Sequence, residues 1–249
     1  MTTSRAVLVT GASRGIGAAT ARAFAAAGDR VAVHYGASEA RARDVLDSLD
    51  GDGHALVQAD LADPAAVRTM VDAAADALGG LDVVVNNAGV YVWHDVSEVS
   101  YEEWQSAWSQ TLAVNLVGAA NVVWCAMQHL PDGGRVVNVG SRGAFRGEPR
   151  MPAYGASKAA LAAMGQSLAK ALGPRRIAVT TVAPGWVDTD MAAEALSGPE
   201  GDARRQESPL GRVATPEEVA AAIVYLASPQ AEFVTGSVLD VNGASYLRL

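Results

Sequence analysis

A phenol and an ammonium spaced four residues apart, with a hydroxyl upstream, are the groups of this sequence best suited to moving a proton. They stand in Tyr154-Gly155-Ala156-Ser157-Lys158, with Ser141 before them. The neighbours Ala153, Ala156, Ala159, Ala160, Leu161 and Met164 favour a helix, which sets Tyr154 and Lys158 on one face. At an assumed separation of ~5 Å and an effective dielectric of ~20, the cation favours the phenolate by roughly 3 kcal/mol, about two pKa units before desolvation. A tyrosine so placed can trade a proton with a substrate oxygen. The competing reading is a boundary tyrosine with a lysine lying along its helix, and the rest of the chain has to discriminate between them.

Short β-branched runs alternate with alanine-rich ones from the start. Val7 to Thr10, Val31 to Tyr35, Ala55 to Ala59, Val83 to Asn86, Val136 to Val139, Val179 to Val182 and Val238 to Val241 read as buried strands, because they are apolar throughout. Ile16 to Ala27, Glu39 to Leu49, Pro64 to Leu78, a long stretch within Tyr101 to Gln128, Pro152 to Leu172 and Pro216 to Leu226 read as helices. Asp63-Pro64 and Thr215-Pro216-Glu217-Glu218 supply start signals. The alternation predicts an α/β fold: a doubly wound parallel sheet of about seven strands with helices on both faces. One domain spans residues 1–249. Only Ala193 to Gly211 lacks a core pattern, and it reads as part of a mobile substrate lid over about 189–211.

The 249 residues are half hydrophobic and carry a net charge of −8 without a basic block, which argues against nucleic acid or an anionic membrane as partner. Cys125 is the single cysteine, and the four histidines, His34, His54, His94 and His129, show no ligand spacing, so no metal site is expected. Met1 to Arg5 pass directly into Ala6-Val7-Leu8-Val9 without the apolar run of a signal peptide, and no stretch is long enough to span a bilayer. The expectation is a cytoplasmic protein acting on small molecules.

The first strand ends in Thr10-Gly11-Ala12-Ser13-Arg14-Gly15-Ile16-Gly17. Glycines let the backbone approach a ligand, and free amides at a helix start favour a pyrophosphate. The second strand ends at His34-Tyr35-Gly36-Ala37-Ser38 with no acid before Glu39 to bond a ribose 2′-hydroxyl. With Arg14 and Arg41 nearby, the chemistry favours NADP(H), NAD(H) being the alternative. Asp60-Leu61 closes the third strand, where the aspartate either bonds adenine or caps the turn before Pro64.

These marks, with Asn86-Asn87-Ala88-Gly89, Asn115 and Pro184-Gly185-Trp186-Val187-Asp188-Thr189, resemble the short-chain dehydrogenase/reductase family over nearly the whole chain. The resemblance implies a homo-oligomer, usually a tetramer, and a set of roles. Tyr154 would be the general acid or base, Lys158 would hold the nicotinamide ribose, Ser141 would bond the substrate oxygen, and Asn115 would support a proton-relaying water. Gly11, Ser13, Arg14, Gly15, Ile16, Gly17, Tyr35, Asp60, Leu61, Asn87, Ala88, Gly89, Pro184, Gly185, Val187 and Thr189 would line the cofactor, together with Tyr154 and Lys158. The implied activity is NADP(H)-dependent interconversion of a ketone and a secondary alcohol.

Two alternatives stay open: reduction of 3-oxoacyl groups on an acyl carrier protein, and a non-catalytic NADP(H) sensor, which usually lacks the tyrosine and lysine present here. Pro131-Asp132 stands where a carrier-docking basic residue is expected, and Arg175 and Arg176 are the remaining half of a basic patch. Tyr91, Trp93, Phe145, Trp186 and Met191 are candidates for the substrate wall, and Arg142, Arg146 and Arg150 for an anion contact. Of the paired tryptophans, Trp108 takes the family position and Trp104 is assigned to core packing.

Overall fold

The computed structural model describes residues 4–248, so the reading of Met1 to Thr3 lies outside the described residues. The valine-rich runs become β1 (Ala6–Val9), β2 (Arg30–Tyr35), β3 (Ala55–Gln58), β4 (Val83–Asn86), β5 (Arg135–Val139), β6 (Ala178–Pro184) and β7 (Val238–Val241). Every pairing is parallel, in the order β3-β2-β1-β4-β5-β6-β7. The winding reverses between β1 and β4, and a crevice opens beyond the carboxyl ends of those two strands. The glycine turn follows β1 and Asn87-Ala88-Gly89 follows β4, so both enter that crevice.

Helices α1 (Gly15–Ala26), α2 (Glu39–Asp47), α3 (Pro64–Leu78), α4 (Tyr101–Leu112), α5 (Ala119–Ala126), α6 (Gly143–Arg146), α7 (Pro152–Leu172), α8 (Gly198–Gln206) and α9 (Pro216–Leu226) make the crossovers. Their ends obey local chemistry. The Asp63 carboxylate accepts from the amides of Ala65 and Ala66 ahead of α3, and Gly79 closes that helix at φ 71°. Ser100 with Glu103 and Thr215 with Glu218 form reciprocal capping boxes at α4 and α9.

Successive strand residues point to opposite faces, and both faces are covered. Leu8, Val84 and Val136 pack with Met70, Leu78 and Val122 on one side; Val7, Val9, Val85 and Val137 pack with Phe24, Val45 and Ile223 on the other. That double burial is why the central strands are apolar without alternation. The expectation of full burial fails at the sheet's edges: β3 and β7 are only partly covered, with Leu239 37% exposed, because each has a strand on one side only.

Two further differences concern the site. The stretch expected as one helix from Tyr101 contains a π-helical segment, Ala113–Gly118, between α4 and α5. The widened turn carries Asn115, and π segments recur where a helix must present a functional group. The unpatterned segment before Gly211 contains α8. Among the described residues, no helix is long and apolar enough to cross a membrane, and no His/Cys/Asp/Glu group could hold a metal ion.

Candidate active site

The crevice is a cleft of about 770 Å³, and its first wall is the glycine turn. Gly11 adopts φ +64°, and a side chain there would come within 2.8 Å of the Ala88 backbone. Gly17 faces a tighter constraint: a Cβ would lie 2.3 Å from the Gly11 oxygen and 2.5 Å from Asn87 Nδ2. The turn is tied down from behind. Asn87 Nδ2 donates to the carbonyls of Thr10 and Gly11 at 2.9 and 3.1 Å, and the Thr10 hydroxyl accepts from the amides of Asn87 and Ala88. Gly17→Ala is therefore expected to destabilise the chain by about 1–3 kcal/mol, as overpacked sites do. Urea unfolding checks this, and an unchanged midpoint would refute the close approach.

His34, not singled out from the sequence, completes the clamp. Its Nδ1 accepts from the Gly11 amide at 2.9 Å, and its Nε2 bonds the Ala59 carbonyl at 3.2 Å. Burial lowers its pKa to about 4 against the opposing effect of the Ala59 bond, so the ring is neutral with the proton on Nε2. Strand alternation is the signal that distinguishes it: His34 turns toward the cleft, and its neighbour Tyr35 turns away. Tyr35, expected at the cofactor, does not line the cleft and packs on the α1 and α2 side of the sheet. Gly36, Ala37 and Ser38 line the cleft instead.

Ser141, Tyr154 and Lys158 line the same cleft. Ser141 follows β5, while Tyr154 and Lys158 lie in α7, begun by Pro152. Tyr154 is half-buried and faces the cleft; Lys158 is only 4% exposed and donates to the Val139 carbonyl at 2.8 Å. The lysine nitrogen stands 5.7 Å from the tyrosine ring centre. The expected net lowering of the phenol does not occur within the chain. Burial pushes Tyr154 up to about 12, which hydrogen bonding to Ser141 opposes and the Glu148 carboxylate reinforces. Burial also brings Lys158 down to about 8. Desolvating both groups outweighs what their proximity contributes.

Asn115 is buried beside this pair. Its Oδ1 accepts from the Val90 amide at 2.8 Å, and its Nδ2 donates to the Val90 carbonyl and the Ser157 hydroxyl at 3.0 and 3.2 Å. Gly89 lies between Asn115 and Lys158: a Cβ there would be 3.3 Å from Asn115 Oδ1 and 3.4 Å from Lys158 Nζ. The bare glycine keeps that passage narrow but open.

A glycine turn, a Ser after β5 and a Tyr/Lys pair on one helix thus share one cleft, with Asn115 buried behind its wall. The family model described as enoyl-(acyl carrier protein) reductase matches residues 11–244. A short chain dehydrogenase from Burkholderia cenocepacia J2315, solved in complex with NADP, superposes with a TM-score of 0.88 at 39% identity, with 97% of each chain covered. This chain belongs to the short-chain dehydrogenase/reductase family. It is 38% identical to 3beta-hydroxysteroid dehydrogenase 1 of Eggerthella lenta, over 98% of this chain and 94% of that one. It is 34% identical to the 3-oxoacyl-acyl-carrier-protein reductase FabG of Vibrio cholerae, over 98% of each.

In this short-chain dehydrogenase/reductase the remaining expected residues divide by strand and loop geometry. Ser13, Arg14, Gly15, Ile16, Asp60, Leu61, Pro184, Gly185, Val187 and Thr189 line the cleft as expected. Asp60 also caps its own turn, accepting from the Ala62 amide at 2.9 Å. Tyr91, Trp186 and Met191 line the cleft, but Trp93 and Phe145 do not. Trp93 is 48% exposed, and Phe145 is covered by the Arg248 guanidinium, 4.3 Å from its ring centre. Trp93 sits on the loop after β4 and Phe145 on α6, and neither residue lines the cleft. Trp104 meets His94 and Trp108 edge-on or tilted, as a packing role requires.

The arginines after Ser141 are not free anion sites. Arg142 Nη2 and Arg146 Nη1 both donate to Glu207, which follows α8, and Arg142 and Arg204 each stand over the Trp186 ring. These contacts fasten the segment after α8 to the serine turn. Arg150 lies exposed. The expected carrier-docking patch is likewise neutralised: Arg175 pairs with Asp132 and Arg176 with Glu232, both at 3.0 Å.

Proposed function

We propose that the chain is an NADP(H)-dependent oxidoreductase that interconverts a ketone and a secondary alcohol, with Tyr154 as general acid and base. The observation that carries this reading is the convergence of Ser141, Tyr154 and Lys158 at one end of a cleft whose other end is the glycine turn. The cradle suits a dinucleotide, because the glycine turn brings bare backbone to the cleft wall and no side chain caps the first amides of α1, which favours an anion there. Gly11 to Gly17 would hold the pyrophosphate, Asp60 and Leu61 the adenine side, and Val187 and Thr189 the nicotinamide side. When bound, NADP(H) supplies or accepts the hydride.

The chain's own work is binding, orientation and proton handling. The Ser141 hydroxyl donates to the carbonyl oxygen and stabilises the negative charge that grows on it. Tyr154, held protonated at neutral pH by its high pKa, is already in the form that reduction needs, and it gives its proton to that oxygen. Lys158 steadies the resulting phenolate, and Asn115 holds the backbone of Val90 so that a proton can return past Gly89. In the oxidative direction Tyr154 must first lose its proton, so oxidation is expected to speed up with rising pH. Following NADPH absorbance with a panel of ketones tests the reading; cofactor binding without turnover across the panel would favour a sensor.

Cofactor choice has its own basis. Arg14 and Arg41 converge on Asp190, at 3.8 and 2.8 Å, so both guanidiniums reach the cleft's rim. No acid stands at Gly36-Ala37-Ser38 to repel a 2′-phosphate. Replacing Arg14 by alanine is expected to cut the preference for NADPH over NADH by about ten- to a hundredfold, the worth of one charge-assisted hydrogen bond. Comparing kcat/KM for the two cofactors checks this, and a preference for NADH in the wild type would overturn the reading. The neutralised Arg175 and Arg176 give carrier-protein reduction no support beyond the resemblance to relatives of that name.

A further inference from the structure

Within the cleft, Glu148 is a carboxylate that the proton machinery does not use. It lies on the loop between Ser141 and Tyr154 and lines the cleft with Tyr91, Arg142 and Tyr154. Two glycines make its slot. A Cβ on Gly143, in the serine turn, would meet Glu148 Oε1 at 2.3 Å, and one on Gly155, beside the tyrosine, would reach its Cβ at 3.6 Å. The side chain is 12% exposed. Its carboxylate raises the pKa of both Tyr91 and Tyr154, which places it within electrostatic reach of the reacting oxygen.

Such a group normally has its lone pairs filled, because a desolvated carboxylate without donors is costly. Here the filling is incomplete. Among the described residues the nearest cation is the Arg146 Nε at 3.9 Å, beyond hydrogen-bond distance, and the arginine's Nη1 is committed to Glu207. Arg142 likewise gives Nη2 to Glu207. Two arginines and two carboxylates balance in charge, and the arginine N–H left over, Arg142 Nη1, is buried without a partner and gives Glu148 no hydrogen bond, so it is the carboxylate that is short of a donor. A neutral O–H fits that deficit; a substrate carboxylate would face Glu148 directly and be repelled.

Resting on the reading of this cleft as a carbonyl-reduction site, we infer that Glu148 is a specificity-determining residue that accepts a hydrogen bond from a substrate hydroxyl, so that the enzyme favours neutral hydroxyketones, and the corresponding diols, over plain ketones. The carboxylate oxygen accepts, the hydroxyl donates, and the carbonyl is left facing Ser141 and Tyr154.

The test is kcat/KM with NADPH for cyclohexanone and for 2-, 3- and 4-hydroxycyclohexanone, using wild type, Glu148→Ala and Glu148→Gln. The expected result is a wild-type preference of about tenfold or more for at least one hydroxyketone, carried mainly in KM. In Glu148→Ala the ratio of hydroxylated to plain substrate falls toward one, and in Glu148→Gln, which keeps one acceptor oxygen, it lies between. A general loss of packing would lower turnover of both substrates together and leave that ratio alone. Wild-type turnover of cyclohexanone with no preference at any position, or a preference that survives both substitutions, would overturn the assignment of Glu148 while leaving ketone reduction standing. Failure of the wild type to turn over any of the four would overturn this inference, and failure across the whole ketone panel with NADPH bound would overturn the reduction reading as well.

Discussion

Tyr154→Phe is expected to lower kcat for ketone reduction by about a hundred- to ten-thousandfold while leaving NADPH affinity within a few-fold of the wild type. The magnitude is that of a positioned acid or base in proton transfer, and the variant removes one oxygen without disturbing the ring. That ring is packed edge-on against Tyr91, with centres 4.7 Å apart, so phenylalanine keeps the same contact. The glycine turn lies at the other end of the cleft and rests on Asn87, Thr10 and His34, none of which touches the phenol. Because Tyr154 holds its proton with a pKa of about 12, the loss should be the same at pH 6 and pH 8 in the reductive direction. Stopped-flow or steady-state turnover, paired with fluorescence titration of NADPH, checks both halves. Retention of more than a tenth of the wild-type kcat would remove Tyr154 from its role.

The parts of this site legible in the sequence are those set by local chemistry or by strict spacing. Pro152 opens α7, the alanines carry it, and Tyr154 and Lys158 then share a face wherever the helix packs. The turn at Gly11 to Gly17 is legible because the type of residue is itself the constraint. The fold followed in the same way from alternating valine-rich and alanine-rich runs. What escaped was set by distant contacts. The π segment around Asn115 has no sequence pattern of its own; it forms where Gly118 passes so close to the turn after β3 that a Cβ would lie 2.6 Å from the Leu61 oxygen. Glu148 reads as one polar loop residue among several until Gly143 and Gly155 are seen to make room for it. Trp93 and Phe145 look like pocket residues by type, but the loop after β4 and the short helix α6 that carry them leave both outside the cleft lining. The pKa of Tyr154 lies above the pairwise Coulomb expectation because that expectation leaves out the burial that both partners share.

His34 yields the second large effect, a loss of about 2–3 kcal/mol of stability between pH 7.5 and pH 4.5 that His34→Asn is expected to abolish. In the folded chain burial holds the imidazole pKa down at about 4, against 6.5 for an ordinary histidine. Above pH 6.5 neither state carries the proton, and the neutral ring's bond to the Gly11 amide is fully available. As pH falls below 6.5 the unfolded chain takes up a proton that the folded chain refuses, so stability drops until the folded pKa is reached and then levels off. Full protonation in the folded state would set a ring N–H against the Gly11 amide, donor against donor, so the glycine turn must loosen to accept it. Asparagine places an uncharged oxygen near Nδ1 and keeps an acceptor for that amide. Carboxylates titrate in the same range in both proteins, so the quantity to measure is the difference between wild type and variant in urea-unfolding free energy at the two pH values. A difference that stays constant would mean that His34 does not titrate with unfolding. A difference that shrinks by about 2–3 kcal/mol, with NADPH affinity falling faster on acidification in the wild type, would show that one buried imidazole couples proton uptake to the shape of the glycine turn.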